Sequence, residues 1–321
     1  IAGTMTGGLD DICNLDLDFT SNTWALTSGD KTETYGGLIA GKAENVYIVK
    51  TSINVSNYSI NAKNVATGTR NYSKETKIAI GNLFGYYTNN KPKKLNNIEI
   101  KGTKKEYIHS IMSSGENFVG GLIGYISTRN TLTLGTVEFK ITDTTNVTKI
   151  ISESLNKYSQ TNLYVGGLIA YVDGTTLVAS DEFKNGITKM TNDDVEVDVY
   201  RYLFTANMEI IAKQKGIQDN NFETYGSCIA AGILAQGYFD ISGKNETERS
   251  NILVTSSEYN VNINAIQSSM TTHSSTTTVA ETNSILTNYV NFINNNYRHC
   301  LASLVFGYIE KNINAAPNYL Y

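Results

Sequence analysis

Three histidines, His109, His273 and His299, are the only imidazoles in the chain. None stands at the spacing of a His-Glu-x-x-His metal site, and no Cys-x-x-Cys pair occurs. No Gly-x-Ser-x-Gly elbow presents a serine nucleophile. Carboxylates group at Asp10-Asp11, at Asp16 and Asp18, and at Asp193-Asp194 with Glu196 and Asp198. Such groups can act as acid and base on a glycosidic bond or hold a calcium ion. Here they alternate with Leu and Val, which places them on the outward side of strands instead. The expectation is therefore no catalytic residue, no cofactor-binding residue and no metal-binding residue, and no enzyme.

The glycine-rich strings do not bind phosphate either. Each precedes an aliphatic strand, with no following Lys-Ser/Thr and no helix N-terminus to receive an anion. A formal net charge of -4 leaves no basic field for nucleic acid. The lysines at 91, 93, 94, 101, 104 and 105 read as a solvated loop and strand edge. No apolar run reaches the roughly 18 residues a membrane span needs. The first residue is Ile1, so a processed or partial chain is expected.

What must position these side chains is a recurring string. Val119-Gly120-Gly121-Leu122-Ile123-Gly124-Tyr125 is nearly repeated as Val165-Gly166-Gly167-Leu168-Ile169-Ala170-Tyr171. Tyr35-Gly36-Gly37-Leu38-Ile39-Ala40 and Ile80-Gly81-Asn82-Leu83-Phe84-Gly85-Tyr86 are further copies. Ala230-Ala231-Gly232-Ile233-Leu234-Ala235 and Leu301-Ala302-Ser303-Leu304-Val305-Phe306 are degenerate ones. The glycines let the backbone bend or approach a neighbour, and the aliphatic pair enters a core. Tyr86, Tyr125, Tyr171 and Tyr308 fall at equivalent places and are expected to stack.

Composition agrees with a β-protein. Charged residues make up 17% against a usual share of about 25%, so uncharged Asn, Ser, Thr and Tyr must cover the surface. Only two prolines interrupt the chain, and β-branched and aromatic residues are plentiful. Similar segments find backbone partners most simply by stacking on one another. The predicted fold is mainly β: an irregular right-handed parallel β-solenoid with long inserts and one or two short helices. It forms a single elongated repeat domain over 1–321, best repeated over 35–190 and degenerate over 228–312. The motif starts are roughly 40 to 70 residues apart, more than a lean solenoid coil needs, so each repeat holds more than one coil or long excursions. The stretch from Tyr202 to Lys213 reads equally as a short helix or a buried strand, and Ile285 to Asn296 as a short helix.

Stacking of the fifth and sixth copies would bring Cys228 and Cys300 to the separation of a disulfide, roughly 4.4 to 6.8 Å between Cα atoms. The alternative is two free thiols buried as small apolar groups. Asn-x-Ser/Thr sequons stand at Asn54, Asn57, Asn71, Asn146 and Asn245 and permit N-glycosylation. Asn, Ser and Thr are so common that about seven such triplets arise by chance.

Gly-Gly-Leu-Ile-Gly-Tyr followed by a short Thr/Leu/Val strand pair resembles the GLUG-type repeat of secreted and cell-surface proteins. It is similar, more distantly, to the Gly-Gly-aliphatic repeats of polymorphic outer-membrane autotransporter adhesins, whose Phe-x-x-Asn partner motif is not systematic here. The resemblance implies an extracellular β-solenoid used as a stalk, fibre or adhesive surface, and brings no catalytic residue with it. The expected function is thus an extracellular or cell-surface structural protein. It would be a subunit of a fibre, filament or stalk, or an adhesin segment, self-associating head to tail through β-stacking. Glycans or host and cell-surface ligands are further expected partners. The alternative is a carbohydrate-binding or carbohydrate-cleaving β-helix.

Overall fold

The computed structural model describes residues 2–7, 15–20, 23–29, 32–56, 58–64, 76–102, 106–112, 115–142, 145, 147–154, 161–174, 177–179, 190–192, 195–197, 202–215, 217–219, 222–224, 226–237, 239–240, 254–255, 260–268, 300–303 and 306–309. Every regular element among them is a β-strand. The expectation of one or two short helices is corrected to that extent. The segment left open between helix and strand forms two strands, Tyr202–Thr205 and Met208–Lys215. Its buried side chains, Tyr202, Phe204, Met208, Ile210 and Ala212, keep a period of two within each strand, which suits a pleat and not a helical turn. Ile285 to Asn296 lies outside the described residues.

Five parallel sheets account for all but four short strands, which pair as antiparallel hairpins. Sheet I runs, in spatial order, Glu33–Gly37, Lys77–Gly81, Gly115–Gly120, Thr161–Gly166, Cys228–Ala231, Cys300–Ser303. Sheet II runs Ala2–Thr6, Ala40–Glu44, Phe84–Asn89, Ile123–Thr128, Ile169–Gly174, Leu234–Gly237, Phe306–Ile309. Sheet III is the shortest: Lys93–Leu95, Leu132–Leu134, Leu177–Ala179, Phe239–Asp240. Sheet IV runs Leu15–Thr20, Thr51–Ser56, Ile98–Gly102, Val137–Ile141, Tyr202–Thr205, Val254–Thr255. Sheet V runs Thr23–Ser28, Tyr58–Asn64, Glu106–Met112, Thr148–Ser154, Met208–Lys215, Val261–Ser268.

In every sheet spatial order equals chain order. The central passes of the chain add one strand to each of the five sheets in turn before the next begins above them. This explains the long repeat: a pass carries five strands, not several coils. The later passes lengthen by excursions, two of which hold the hairpins Met190–Asn192 with Val195–Val197 and Ile217–Asp219 with Phe222–Thr224. Strands of the clear and the degenerate repeats lie in the same sheets.

Register is set by the apolar rows, because a slip of one residue would turn each row out of the core. Ile60, Ile108, Ile150, Ile210 and Ile263 pair successively along sheet V. The first four are at most 2% exposed, and burial of each contributes about 1.5–3 kcal/mol. All five sheets send side chains into one buried cluster that includes Phe84, Ile123, Phe139, Phe204 and Ile150. Outward rows are polar, as in Lys149 against Glu209 at 2.9 Å and Lys213 against Glu153 at 3.7 Å. Asn45 (φ 54°) and Asn97 (φ 48°) take left-handed backbone conformations between strands, a use of Asn that its abundance foreshadows.

Candidate functional site

Gly121 and Leu122 alone separate Gly115–Gly120 of sheet I from Ile123–Thr128 of sheet II. A sharp change of direction is made there without a loop. A methyl on Gly120 would overlap the carbonyl oxygen of Ile123, and one on Gly121 that of Gly167 in the next pass. The glycine pair is therefore a corner at which successive passes touch backbone to backbone. Gly121 N donates to Gly166 O at 2.9 Å and Leu122 N to Leu168 O at 2.8 Å.

Of the repeat glycines, Gly37 stands level with Gly81, Gly120 with Gly166, and Gly166 with Ala231. Gly167 and Gly232 continue the corner, donating to Ala231 O and Ser303 O. Two assignments change. Ala302 pairs with Ala230, Ser303 with Ala231 and Phe306 with Leu234, so the sixth copy sits one residue later than its string suggests. Gly36 pairs with Ile80, and Ala40 with Phe84, so the first copy sits one residue later than its string suggests. Gly37, not Gly36, opens that corner. The core-facing rows decide this, since Ala40, Phe84, Ile123 and Ile169 must share one level.

The strands flanking the corner are buried on both sides. Val119 faces the main core, whereas Phe118 belongs to a second, smaller cluster with Ala79, Tyr164, Ala170, Ile229 and Ala235. This explains why the motif reads as an unbroken apolar run instead of alternating. Tyr86, Tyr125 and Tyr171 lie in one register row, followed by Gln236 and Tyr308, with Lys42 below Tyr86. Ring centroids are 5.5 Å apart for Tyr86 and Tyr125 (10° between planes) and 5.4 Å for Tyr125 and Tyr171 (1°). Phe118 and Tyr164 stack likewise at 5.2 Å and meet the tyrosine row edge-on.

A cleft of about 250 Å³ opens over this corner, lined by Glu33, Tyr35, Lys42, Lys77, Tyr86, Phe118, Tyr125, Ser127 and Asp173. The Tyr35 hydroxyl donates to Glu33 at 2.7 Å and the Tyr125 hydroxyl to Asp173 at 2.9 Å. Lys77 lies 3.7 Å from Glu33 and 5.7 Å from the centre of the Tyr125 ring; Lys42 lies 5.5 Å from the centre of the Tyr86 ring. Burial, reinforced by the adjacent carboxylates, pushes the Tyr35 and Tyr125 phenols far above their ordinary range. They remain hydrogen-bond donors and are not activated as bases or nucleophiles. Tyr125 is covered by Tyr86 on one side and Tyr171 on the other. A sugar stacks on an open aromatic face, and Tyr125 offers an edge and a hydroxyl. The cleft can present paired charges to a polar ligand.

No family model, curated protein or solved structure matches this chain. Its own geometry must carry the functional reading.

Asp16 and Asp18 project outward and are exposed. Glu196 lies in an antiparallel hairpin, and Asp10, Asp11, Asp193, Asp194 and Asp198 fall outside the described residues. His109 pairs in register with Asn61 and Ile151, while His273 and His299 fall outside. Among the described residues no three His, Cys, Asp or Glu side chains gather as a metal site, and no helix is long and apolar enough to cross a membrane. Of the sequons, Asn54 is half-buried on the outward side of a central strand, between Asp18 and Lys101. Asn57, Asn71, Asn146 and Asn245 lie outside the described residues. Cys228 and Cys300 are register partners on neighbouring strands, both as free thiols.

The sequence reading missed the cleft's charged residues and the aromatics of sheet I. A signal existed for the latter: Tyr35, Phe118 and Tyr164 each stand two residues before a corner glycine (Gly37, Gly120, Gly166).

Proposed function

We propose that this chain is an extracellular structural protein, an irregular right-handed parallel β-solenoid serving as a subunit of a surface fibre, filament or stalk, or as an adhesin segment, that associates head to tail. The observation that carries the reading is the one-strand-per-pass succession of parallel strands in all five sheets, in register, around one shared core. Right-handed winding follows the general preference of parallel crossover connections. A stack of this kind has two ends, and each exposes the interior of its last pass. Leu15, Leu17, Phe19 and Leu26 at one end, and Val261, Ile263, Ala265 and Phe306 at the other, are only partly buried against the core. Trp24, 38% exposed, and Ile266, 41% exposed, lie on the two outermost strands of sheet V. Among the described residues each end presents backbone groups and apolar side chains suited to a further parallel strand. Continuing the register of sheet V would set Ile263 of one copy on Trp24 of the next.

Sedimentation velocity and negative-stain microscopy over a range of concentrations test this. Rods that lengthen with concentration, and shorten again in Trp24→Ser and Ile263→Asp chains, are the expected outcome. A monomer at every concentration would overturn self-association.

A second reading, a carbohydrate-binding β-helix, is favoured by the tyrosine-lined cleft with Glu33 and Asp173. The covered faces of Tyr125 weigh against it. A polysaccharide panel with no binding and no cleavage would remove it.

A further inference from the structure

Cys228 lies in sheet I directly beneath Cys300, its register partner in the next pass. Cys228 is wholly buried, and its Sγ donates to Ala212 O at 3.3 Å. Cys300 is exposed, and its Sγ lies 3.7 Å from Ala265 O. The strand that carries it, Cys300–Ser303, is the outermost of sheet I among the described residues. In the same row the earlier passes place Leu163 and Asn117, so this level of sheet I faces sheet V; Cys228 is enclosed between the two sheets, and Cys300 faces the same way at the open end.

We propose that Cys228 and Cys300 form an oxidation-dependent cross-link that staples the last strand of sheet I to the pass beneath it. Neighbouring parallel strands stand about 4.8 Å apart, inside the Cα range of disulfides. The Cβ atoms must draw together by a few tenths of an ångström to reach the usual 3.5–4.5 Å. An outermost strand, held from one side, can yield by that amount where a central strand cannot. The exposed and buried thiols also divide the two steps between them. Burial raises both, Cys228 to about 12, while the hydrogen bond from Cys228 favours the thiolate at Cys300. Cys300 attacks a sulfur of a small disulfide such as oxidised glutathione, expelling one thiolate and leaving a mixed disulfide. Cys228 then attacks the Cys300 sulfur and expels the second thiolate. The protein loses two protons and two electrons, and the oxidant becomes two thiols. The cross-link closes a long loop that ends on this strand, the arrangement in which a disulfide most restrains the unfolded chain. The proposal stands whether or not the chain polymerises.

The full chain, as wild type and with its third cysteine, Cys13, replaced (Cys13→Ser), is incubated with oxidised glutathione at about pH 8.5, near the free-thiol pKa. It is then blocked with iodoacetamide and mapped by mass spectrometry without reduction. A Cys228–Cys300 linked peptide in both forms is expected. Amide exchange in Cys300–Ser303 should slow by about tenfold on oxidation and recover with dithiothreitol. Two alkylated thiols, a glutathione adduct arrested at Cys300, a linkage through Cys13, or a cross-link without any change in exchange would each overturn the proposal.

Discussion

Tyr125 and Tyr171 stand on neighbouring strands with ring centroids 5.4 Å apart and planes 1° from parallel. The residues are equivalent in two successive copies of the glycine string, so one level of register brings their rings face to face. A further ring, Tyr86, continues the row on the other side of Tyr125. Each such aromatic contact contributes about 0.5–1.5 kcal/mol beyond its area burial.

Tyr125 therefore tests the row from its middle. Tyr125→Ala removes a ring stacked on both faces and should destabilise the chain by about 2–4 kcal/mol. Tyr125→Phe keeps the stack and loses only the bond to Asp173, a loss of about 1 kcal/mol or less. Urea unfolding separates the two. Equal losses would mean that the hydroxyl, not the ring, matters.

The corner makes a second prediction. Gly121→Ala sets a methyl against the Gly167 carbonyl, where backbone and not a flexible side chain must move. A loss above about 2 kcal/mol is expected. Gly3→Ala, whose methyl would meet nothing within 4 Å, should be near neutral. Thermal melts of the two chains decide the point.

Alkali should unfold the protein early. Tyr35, Tyr87 and Tyr125 have phenols raised by burial, with carboxylates adding to the shift at Tyr35 and Tyr125. The folded state then holds protons that the unfolded chain releases near pH 10. Stability is complete below that pH and falls as the pH rises above it. Absorbance at about 295 nm should show a set of tyrosines that ionise only together with loss of β circular dichroism. Gradual ionisation of every tyrosine with the fold intact would contradict this.

Glu138 sits one strand from Glu99, its register partner, on the outward side of sheet IV. Burial raises its carboxyl, Lys140 opposes the shift, and Glu99 adds to it. A raised folded pKa contributes stability below the unfolded value of about 4.3 that is lost as pH rises through the folded one. Glu138→Gln should thus stabilise the chain at pH 7, by about a few tenths of a kcal/mol at most because solvent screens this half-exposed pair. The gain should vanish near pH 3, where the wild-type carboxyl is already neutral. Denaturant midpoints at the two pH values measure it.

Much of the local structure was legible in the chain. The glycine strings marked the corners, and the alternation of Asp16 and Asp18 with Leu15, Leu17 and Phe19 marked an outward acidic row. These are properties of a residue and its neighbours: a missing Cβ, a period of two. The equivalence of Tyr86, Tyr125 and Tyr171 was legible too, because a repeated string carries its own register; Tyr308 reaches the same row through the one-residue shift of the sixth copy, and Gln236 stands between it and the stack.

The sequence by itself determined that this protein is built of recurring strands with tight glycine corners. Only the tertiary structure decided that five sheets share each central pass, that Gly37 and not Gly36 is the first corner, and that the flanking strands are covered on both faces. The charged cleft was equally hidden. Glu33, Lys77 and Asp173 lie far apart in the chain and carry no mark of one another. They meet at Tyr35 and Tyr125 because parallel strands from successive passes stack about 4.8 Å apart. That meeting depends on which pass lies on which, and a local pattern of apolar and polar residues cannot encode it.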